Sequence, residues 1–190
     1  STVTEAIARG GDDRSSEVEL VRALLAANDG ESALRVAREI AAKNPGTPAA
    51  YLLVGDVQAA RKQWGDAVAS YRAAAARRFD EPTALRLIDA QDRAGDRAAA
   101  ANTLALFLSQ NPANVAAQRL SAHWQIAAGD WDAAIDTLEA VRQKVGNRDA
   151  ALLAELGYAF LGKGDAEGAE SYAAAAYRLA PTNPAAADAW

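Results

Sequence analysis

Gly129-Asp130-Trp131-Asp132-Ala133-Ala134-Ile135 is the stretch that decides the fold, because the chain repeats its pattern five times with small changes. Each copy has a short polar turn, an alanine a few residues into a helix, further apolar positions and then a breaker. The alanines are Ala33, Ala67, Ala100, Ala134 and Ala169, separated by 34, 33, 34 and 35 residues. A period in this range marks helical hairpins stacked into an array. Such arrays usually hold partners and rarely perform chemistry.

Working outward, the composition agrees. Of the 190 residues, 51% are hydrophobic and only 6% aromatic, and roughly a quarter are alanine. Alanine has the best helix propensity and lets helices approach closely. A net charge of −5 argues against a nucleic-acid partner, because a phosphate backbone needs a basic stripe. Acidic and basic residues are interspersed, with no charged tail. The absence of cysteine removes disulfides and thiolate metal sites. No apolar run reaches the length of a membrane span. With no methionine at all, the chain lacks even an initiator, so its ends are expected to be set by processing or by the choice of fragment.

The expected organisation is an all-α, right-handed superhelical solenoid of five helix-turn-helix hairpins at about 14–47, 48–80, 81–114, 115–148 and 149–183. Residues 1–13 read as an N-terminal segment, with Val3 to Ala8 able to form a short helix left from a preceding unit. Residues 184–190 read as the start of a sixth first helix that is cut short. In the first unit Val18, Val21, Leu24 and Leu25 form an apolar stripe, Asn28-Asp29-Gly30 turns, Glu31-Ser32 start the second helix, and Pro45 stops it. Later units turn at Gln63-Trp64-Gly65-Asp66, Gly95-Asp96, Gly129-Asp130-Trp131 and Gly164-Asp165. Pro48 sits where a first helical turn tolerates proline, and the third unit starts at Glu81-Pro82. One hairpin cannot bury its apolar face, and each neighbour covers one more.

From about Arg14 onward these residues resemble the tetratricopeptide repeat family. That family expects small residues where the two helices of a hairpin cross. Gly55, Ala122 and Gly157 fit the first such position, while Val21 and Ile88 depart from it; all five alanines fit the second. Pro45, Pro112 and Pro181 supply the proline expected between units, with Phe79 and Gly146 as departures. A narrower resemblance covers Thr83 to Trp190. The run Tyr172 to Trp190, with Ala180-Pro181-Thr182-Asn183-Pro184, Asp188 and Trp190, is similar to the last repeats of tetratricopeptide lipoproteins of bacterial exopolysaccharide and exosortase (PEP-CTERM) systems. The lipid-bearing cysteine of those lipoproteins is absent.

A search for chemistry finds little. His123 is the only histidine, so neither a zinc site nor a serine triad has its parts, and no nucleophile elbow occurs. Asp89 and Asp92 share a helix face, but Arg86 and Arg93 flank them at spacings that suit ion pairs. Gly162-Lys163-Gly164-Asp165 is a turn without phosphate-loop spacing. Trp64 and Trp131 fall at hairpin turns, where an aromatic covers helix ends; Trp124 is expected to pack between units, and Trp190 against a further unit. No catalytic residue, cofactor or metal is expected.

What the resemblance implies is a non-catalytic scaffold whose first helices line a concave groove through Arg22, Asp56, Arg86, Asp89, Arg119, His123 and Tyr158. The groove would take a protein or peptide partner. Arg86, Asp89, Arg119, His123 and Tyr158 are expected to converge on one surface, and truncating Arg119 or Tyr158 to weaken capture with little loss of stability. The lysine–asparagine clamp of chaperone-tail binders is absent: Val18, Arg22 and Leu53 occupy those positions, so capture of a terminal carboxylate is not expected. The narrower resemblance implies an envelope protein of exopolysaccharide export or assembly, periplasmic or attached to the outer membrane. The alternatives are a cytoplasmic adaptor or regulatory module, and a helical-repeat sugar-binding protein or enzyme, for which Tyr158 is the one obvious exposed aromatic. The apolar run Ala185 to Trp190 is expected to leave a surface that pairs copies into homodimers.

Overall fold

The computed structural model describes residues 13–180, and every regular element among them is helical. In chain order they are α1 (Asp13–Ala26), α2 (Gly30–Lys43), α3 (Pro48–Ala60), α4 (Trp64–Ala75), α5 (Glu81–Arg93), α6 (Arg97–Gln110), α7 (Val115–Ala128), α8 (Trp131–Val145), α9 (Ala150–Lys163) and α10 (Ala166–Leu179). The readings of Val3 to Ala8 and of Pro184 to Trp190, the apolar terminal run included, lie outside the described residues.

Why the helices stop where they do is a matter of one turn used five times. Asn28, Lys62, Gly95, Gly129 and Gly164 all have positive φ, between 59° and 87°. Each lies five residues before a repeat alanine. The amide that follows each donates across the turn to a carbonyl five residues back: Asp29 to Leu24, Gln63 to Gln58, Asp96 to Gln91, Asp130 to Gln125 and Asp165 to Phe160, each at 2.9 Å. This is the left-handed helix cap that satisfies the last carbonyls of one helix while reversing the chain. At three of the five turns the next helix is then capped by a side chain. Asp29 accepts from the Ser32 amide (3.1 Å), Asp96 from Ala99 (2.9 Å) and Asp165 from Gly168 (2.9 Å). Asp80, Asn114 and Asp149 do the same between hairpins, for Thr83, Ala117 and Leu152. Each such cap contributes about 1 kcal/mol. Because Asp29 already caps, α2 begins at Gly30, one residue ahead of the expected Glu31-Ser32 start.

The chain forms two compact units, Ser1–Phe107 and Leu108–Trp190, with the boundary inside α6. In the first, α2 packs on α3 and α4 on α5. Its core runs from Val21, Ala33, Leu34, Ala37 and Ile40 through Val54 and Val57 to Ala67, Tyr71 and Leu87. In the second, α7 packs on α8, α8 on α9 and α9 on α10, around Ala122, Ile135, Leu138, Val141, Leu152 and Leu156.

The hairpin crossings are tight. Ala33, Ala67, Ala100 and Ala134 are wholly buried and Ala169 nearly so, at 7% exposure. The bulkier Val21 and Ile88 are also buried. A polar rung joins the helices in two hairpins: Ser70 donates to Gln58 at 2.6 Å, and Thr103 to Gln91 at 2.9 Å. In the next hairpin the rung is broken. Thr137 donates to its own helix at Ala133 (2.8 Å), and the buried Gln125 Oε1 has no partner. Phe79, where a proline was expected, packs edge-on against Phe107 at 5.6 Å.

Candidate functional site

The seven groove residues sit on the first helices of the hairpins, and they divide between the two units: Arg22, Asp56, Arg86 and Asp89 in the first, Arg119, His123 and Tyr158 in the second.

In the first unit Asp56 is a node between three helices. The Tyr71 hydroxyl of α4 donates to it at 2.8 Å and Arg86 Nε of α5 at 2.9 Å. Burial, and then the hydrogen bond to Asp56, push the Tyr71 hydroxyl far above the ordinary tyrosine range. Asp56 and Arg86 form one lip of a hollow of about 320 Å³ whose walls are Val18, Ile40, Leu52 and Leu53. Val18 and Leu53, two of the three positions that lack clamp residues, are part of this apolar lining, with Ile40, Leu52, Ala49 and Ala50.

Two ion pairs differ from the sequence reading. Asp89 is held by Arg93 at 2.9 Å, as expected, but Asp92 pairs with Arg97 at 2.6 Å. Arg86 takes no part with either carboxylate, because Asp56 on the preceding hairpin draws its guanidinium away. Arg22 pairs with Glu19 one turn before it, at 2.6 Å, and is exposed.

In the second unit Arg119 donates to Asp149 at 2.7 Å and to Glu155 at 3.0 Å, with 29% of its side chain exposed. Burial opposes its charge, but Glu155 and Asp149 outweigh that and raise its pKa. Asp149 is correspondingly held below the ordinary carboxylate range: burial works against it, and the Leu152 amide and Arg119 win. Arg119 thus ties α7 to the start of α9. The expectation that it could be removed without loss of stability is corrected by these two carboxylates, which its removal would strand.

His123 and Tyr158 are exposed on α7 and α9. The Tyr158 ring meets Trp131 edge-on at 6.1 Å. Trp131 in turn lies over Gly162, where a Cβ would come within 2.6 Å of the indole. At the matching turn of the first unit, Arg93 stands over Trp64 at 5.1 Å. Both tryptophans cover a neighbouring helix end, the role expected of them. Trp124 is half-buried on α7, and Trp190 lies outside the described residues.

Of the predicted set, the hydrogen bonds among described residues join Asp56 to Arg86; Asp89 and Arg119 find partners outside it. Sequence reasoning missed the apolar hollow and missed Leu161, which is 58% exposed beside Tyr158 at 56%. The register gave little signal for Leu161, because the same position of the other hairpins holds Leu25, Ala59, Asp92 and Ile126. Among the described residues no group of three or more His, Asp or Glu is arranged to hold a metal ion, and no helix is long and apolar enough to cross a membrane.

Comparison with known proteins gives a consistent result. The family model for the tetratricopeptide repeat matches residues 18–81 and 122–184. No curated protein matches the sequence. Among solved structures, YrrB, described as a TPR protein with an unusual peptide-binding site, is 18% identical with a TM-score of 0.68, covering 100% of this chain and 97% of that one. MamA from Desulfovibrio magneticus, residue 41 to its end, is 16% identical with a TM-score of 0.71, covering 92% and 98%. A tetratricopeptide repeat protein from Parabacteroides merdae is 17% identical with a TM-score of 0.75, covering 94% and 73%. At these identities the likeness is one of fold.

Proposed function

Because this chain belongs to the tetratricopeptide repeat family, we propose that it works as a non-catalytic scaffold whose first helices capture a protein or peptide partner. The observation that carries this reading is the hollow of about 320 Å³ in the first unit, apolar inside and lipped by the Asp56–Arg86 pair. Such a hollow suits one apolar side chain of an extended segment, with the arginine and carboxylate meeting the segment's polar backbone. Arg22 and Asp89 extend that face, and Arg119, His123 and Tyr158 form its counterpart in the second unit. A peptide-binding site on a tetratricopeptide repeat protein of the same length, YrrB, is in keeping with it.

The test is selection of displayed peptides against the whole chain, followed by titration of the enriched sequences against Arg86→Ala and Tyr158→Ala. True anchors cost about 1 to 4 kcal/mol of binding when truncated. Enriched peptides that bind both variants as tightly as the parent would move recognition to the convex face or the loops, and an empty selection would end the scaffold reading.

The setting we propose is a bacterial envelope protein of exopolysaccharide export or assembly. Its support is the run Tyr172 to Trp190 and its similarity to the last repeats of such lipoproteins. Glycosyltransferase and polysaccharide-export genes beside the parent gene are the expected finding; transcription or signalling genes there would count for an adaptor instead.

A further inference from the structure

The second unit carries an apolar surface that its own fold does not require. Measured from the buried crossing residues Ile88 and Gly157, three positions of α5 and α9 correspond: Asp89 with Tyr158, Asp92 with Leu161, and Arg93 with Gly162, each pair 69 residues apart. In α5 these positions hold ion-paired side chains, Asp89 to Arg93 and Asp92 to Arg97, as a solvated helix face should. In α9 they hold a tyrosine and a leucine exposed by 56% and 58%. The third position is a glycine whose missing side chain seats Trp131 against Tyr158. The same backbone therefore supports a polar face, and the α9 version exposes two large apolar side chains, Tyr158 and Leu161, beside the half-buried Trp131 of α8. Exposed apolar patches with an aromatic anchor mark contact surfaces.

The charge around this patch is one-sided. Residues 108–190 hold ten acidic and six basic side chains, against fifteen and fourteen in residues 1–107, so the net charge is −4 in one unit and −1 in the other. Beside the patch, Lys163 is hydrogen-bonded to Asp132 at 2.6 Å. That bond first, then the charges of Asp132, Asp165 and Asp136, raise its pKa. One ammonium thus answers three carboxylates. A like-charged second copy is repelled from this face, as is any anionic surface.

We infer that the Trp131–Tyr158–Leu161 face receives a basic amphipathic segment of a partner protein, an aliphatic or aromatic side chain flanked by lysines or arginines. This rests on the scaffold reading above and names the chemistry of its partner at one face. The apolar anchor lies across Tyr158 and Leu161, and the flanking cations meet Asp132 and Asp136.

The experiment is calorimetric titration of the full chain with a capped peptide of alternating lysine and leucine, beside a lysine–serine and a glutamate–leucine counterpart. The lysine–leucine peptide should bind at least about tenfold more tightly than either counterpart. Its affinity should fall about tenfold in Tyr158→Ser/Leu161→Ser, with thermal melting showing that the variant remains folded. Asp132→Asn/Asp136→Asn should flatten the loss of affinity between about 50 and 300 mM salt. A glutamate–leucine peptide that binds equally well, or double variants that bind as the parent does, would overturn the inference. Peptides enriched from the library that are acidic or insensitive to this face would sink it and leave the scaffold reading intact. An empty library selection removes the scaffold reading itself.

Discussion

Hairpins α3/α4 and α9/α10 both cross at a glycine, yet the two crossings are filled in different ways. At Gly55 the space is taken by the Tyr71 ring, which stands where a Cβ would be. At Gly157 it is taken by backbone, the Ala169 carbonyl and the Ala173 amide, both at 3.3 Å. Ala173 follows its repeat alanine by four residues, as Tyr71 does. A large side chain in the first hairpin wedges the glycine gap and carries a hydroxyl out to Asp56; a small one in the last lets the helices close. The polar contact there moves to the neighbouring Tyr172, which stacks on Phe160 at 5.4 Å and donates its hydroxyl to Glu139. In the first hairpin the core residue and the candidate site are thus coupled, and in the last the crossing is closed off from solvent chemistry.

The largest expected effect separates the two crossings directly. Gly157→Val drives a branched side chain into helix backbone that cannot turn aside, and should cost about 3 kcal/mol or more in urea unfolding. Gly55→Ala meets a ring and should cost about 1 to 2 kcal/mol, because a side chain yields more easily than a backbone. The cost of Gly55→Ala should shrink in a Tyr71→Leu background, giving a coupling of about 1 kcal/mol in a double-mutant cycle. No coupling to Tyr71 would erase the distinction.

Next in size are the arginines of the two units. Arg119→Ala leaves Asp149 and Glu155 without their partner in a part-buried setting, and a loss of about 2 kcal/mol is expected. Arg86 and Asp56 are each 42% exposed, so Arg86→Ala should cost less than about 1 kcal/mol. Acid sharpens the contrast. Asp149 titrates below its unfolded value, so its contribution is complete above about pH 4 and is lost as pH falls through the lower folded value. Unfolding midpoints followed from pH 5 downward should decline less steeply below about pH 4 in Arg119→Ala than in the parent. Parallel curves would show that Arg119 does not hold Asp149 ionised.

Tyr71→Phe tests the link between the first crossing and the site. It keeps the ring in the gap and removes one hydrogen bond to Asp56, costing about 1 kcal/mol in thermal or urea unfolding. Tyr172→Phe removes the equivalent bond to Glu139, which keeps Arg142 at 2.7 Å. Only the first change should alter the affinity of peptides that depend on Arg86.

What the sequence made legible follows from locality. The alanine spacing, the turn positions and the capping aspartates are all settled within a few residues of chain, and each can be read there. The contacts that build the candidate surface are not local. Arg86 reaches Asp56 across 30 residues, and Arg119 reaches Asp149 and Glu155 across 30 and 36. Near one repeat length, stacking of neighbouring hairpins decides which charges meet, and helix spacing alone favours the nearer partner. That is why Arg86 was assigned to the carboxylates of its own helix. The Asp89–Arg93 pair, four residues apart, was readable for the same reason. The exposed Leu161 was hidden because an apolar residue in an amphipathic helix is read as core, and three of the four corresponding positions, Leu25, Ala59 and Ile126, are apolar as well.

The smallest effect concerns the turns, where the units differ again. The two turns of the second unit place glycine at the left-handed position, Gly129 and Gly164. The first unit uses Asn28, Lys62 and Gly95. Asparagine tolerates this backbone because its short polar side chain bonds locally, but lysine carries a Cβ clash with nothing to offset it. Lys62→Gly should therefore raise stability by about 0.5 to 1 kcal/mol, even though glycine gains entropy in the unfolded chain. Asn28→Gly should change it by only a few tenths of a kcal/mol. Gly129→Lys, the reverse exchange, should lower stability by about 1 kcal/mol. If Lys62→Gly instead destabilised the protein, the entropy term would exceed the strain. The lysine turn would then be as well adapted as the glycine turns, and the five caps would be equivalent in energy as well as in shape.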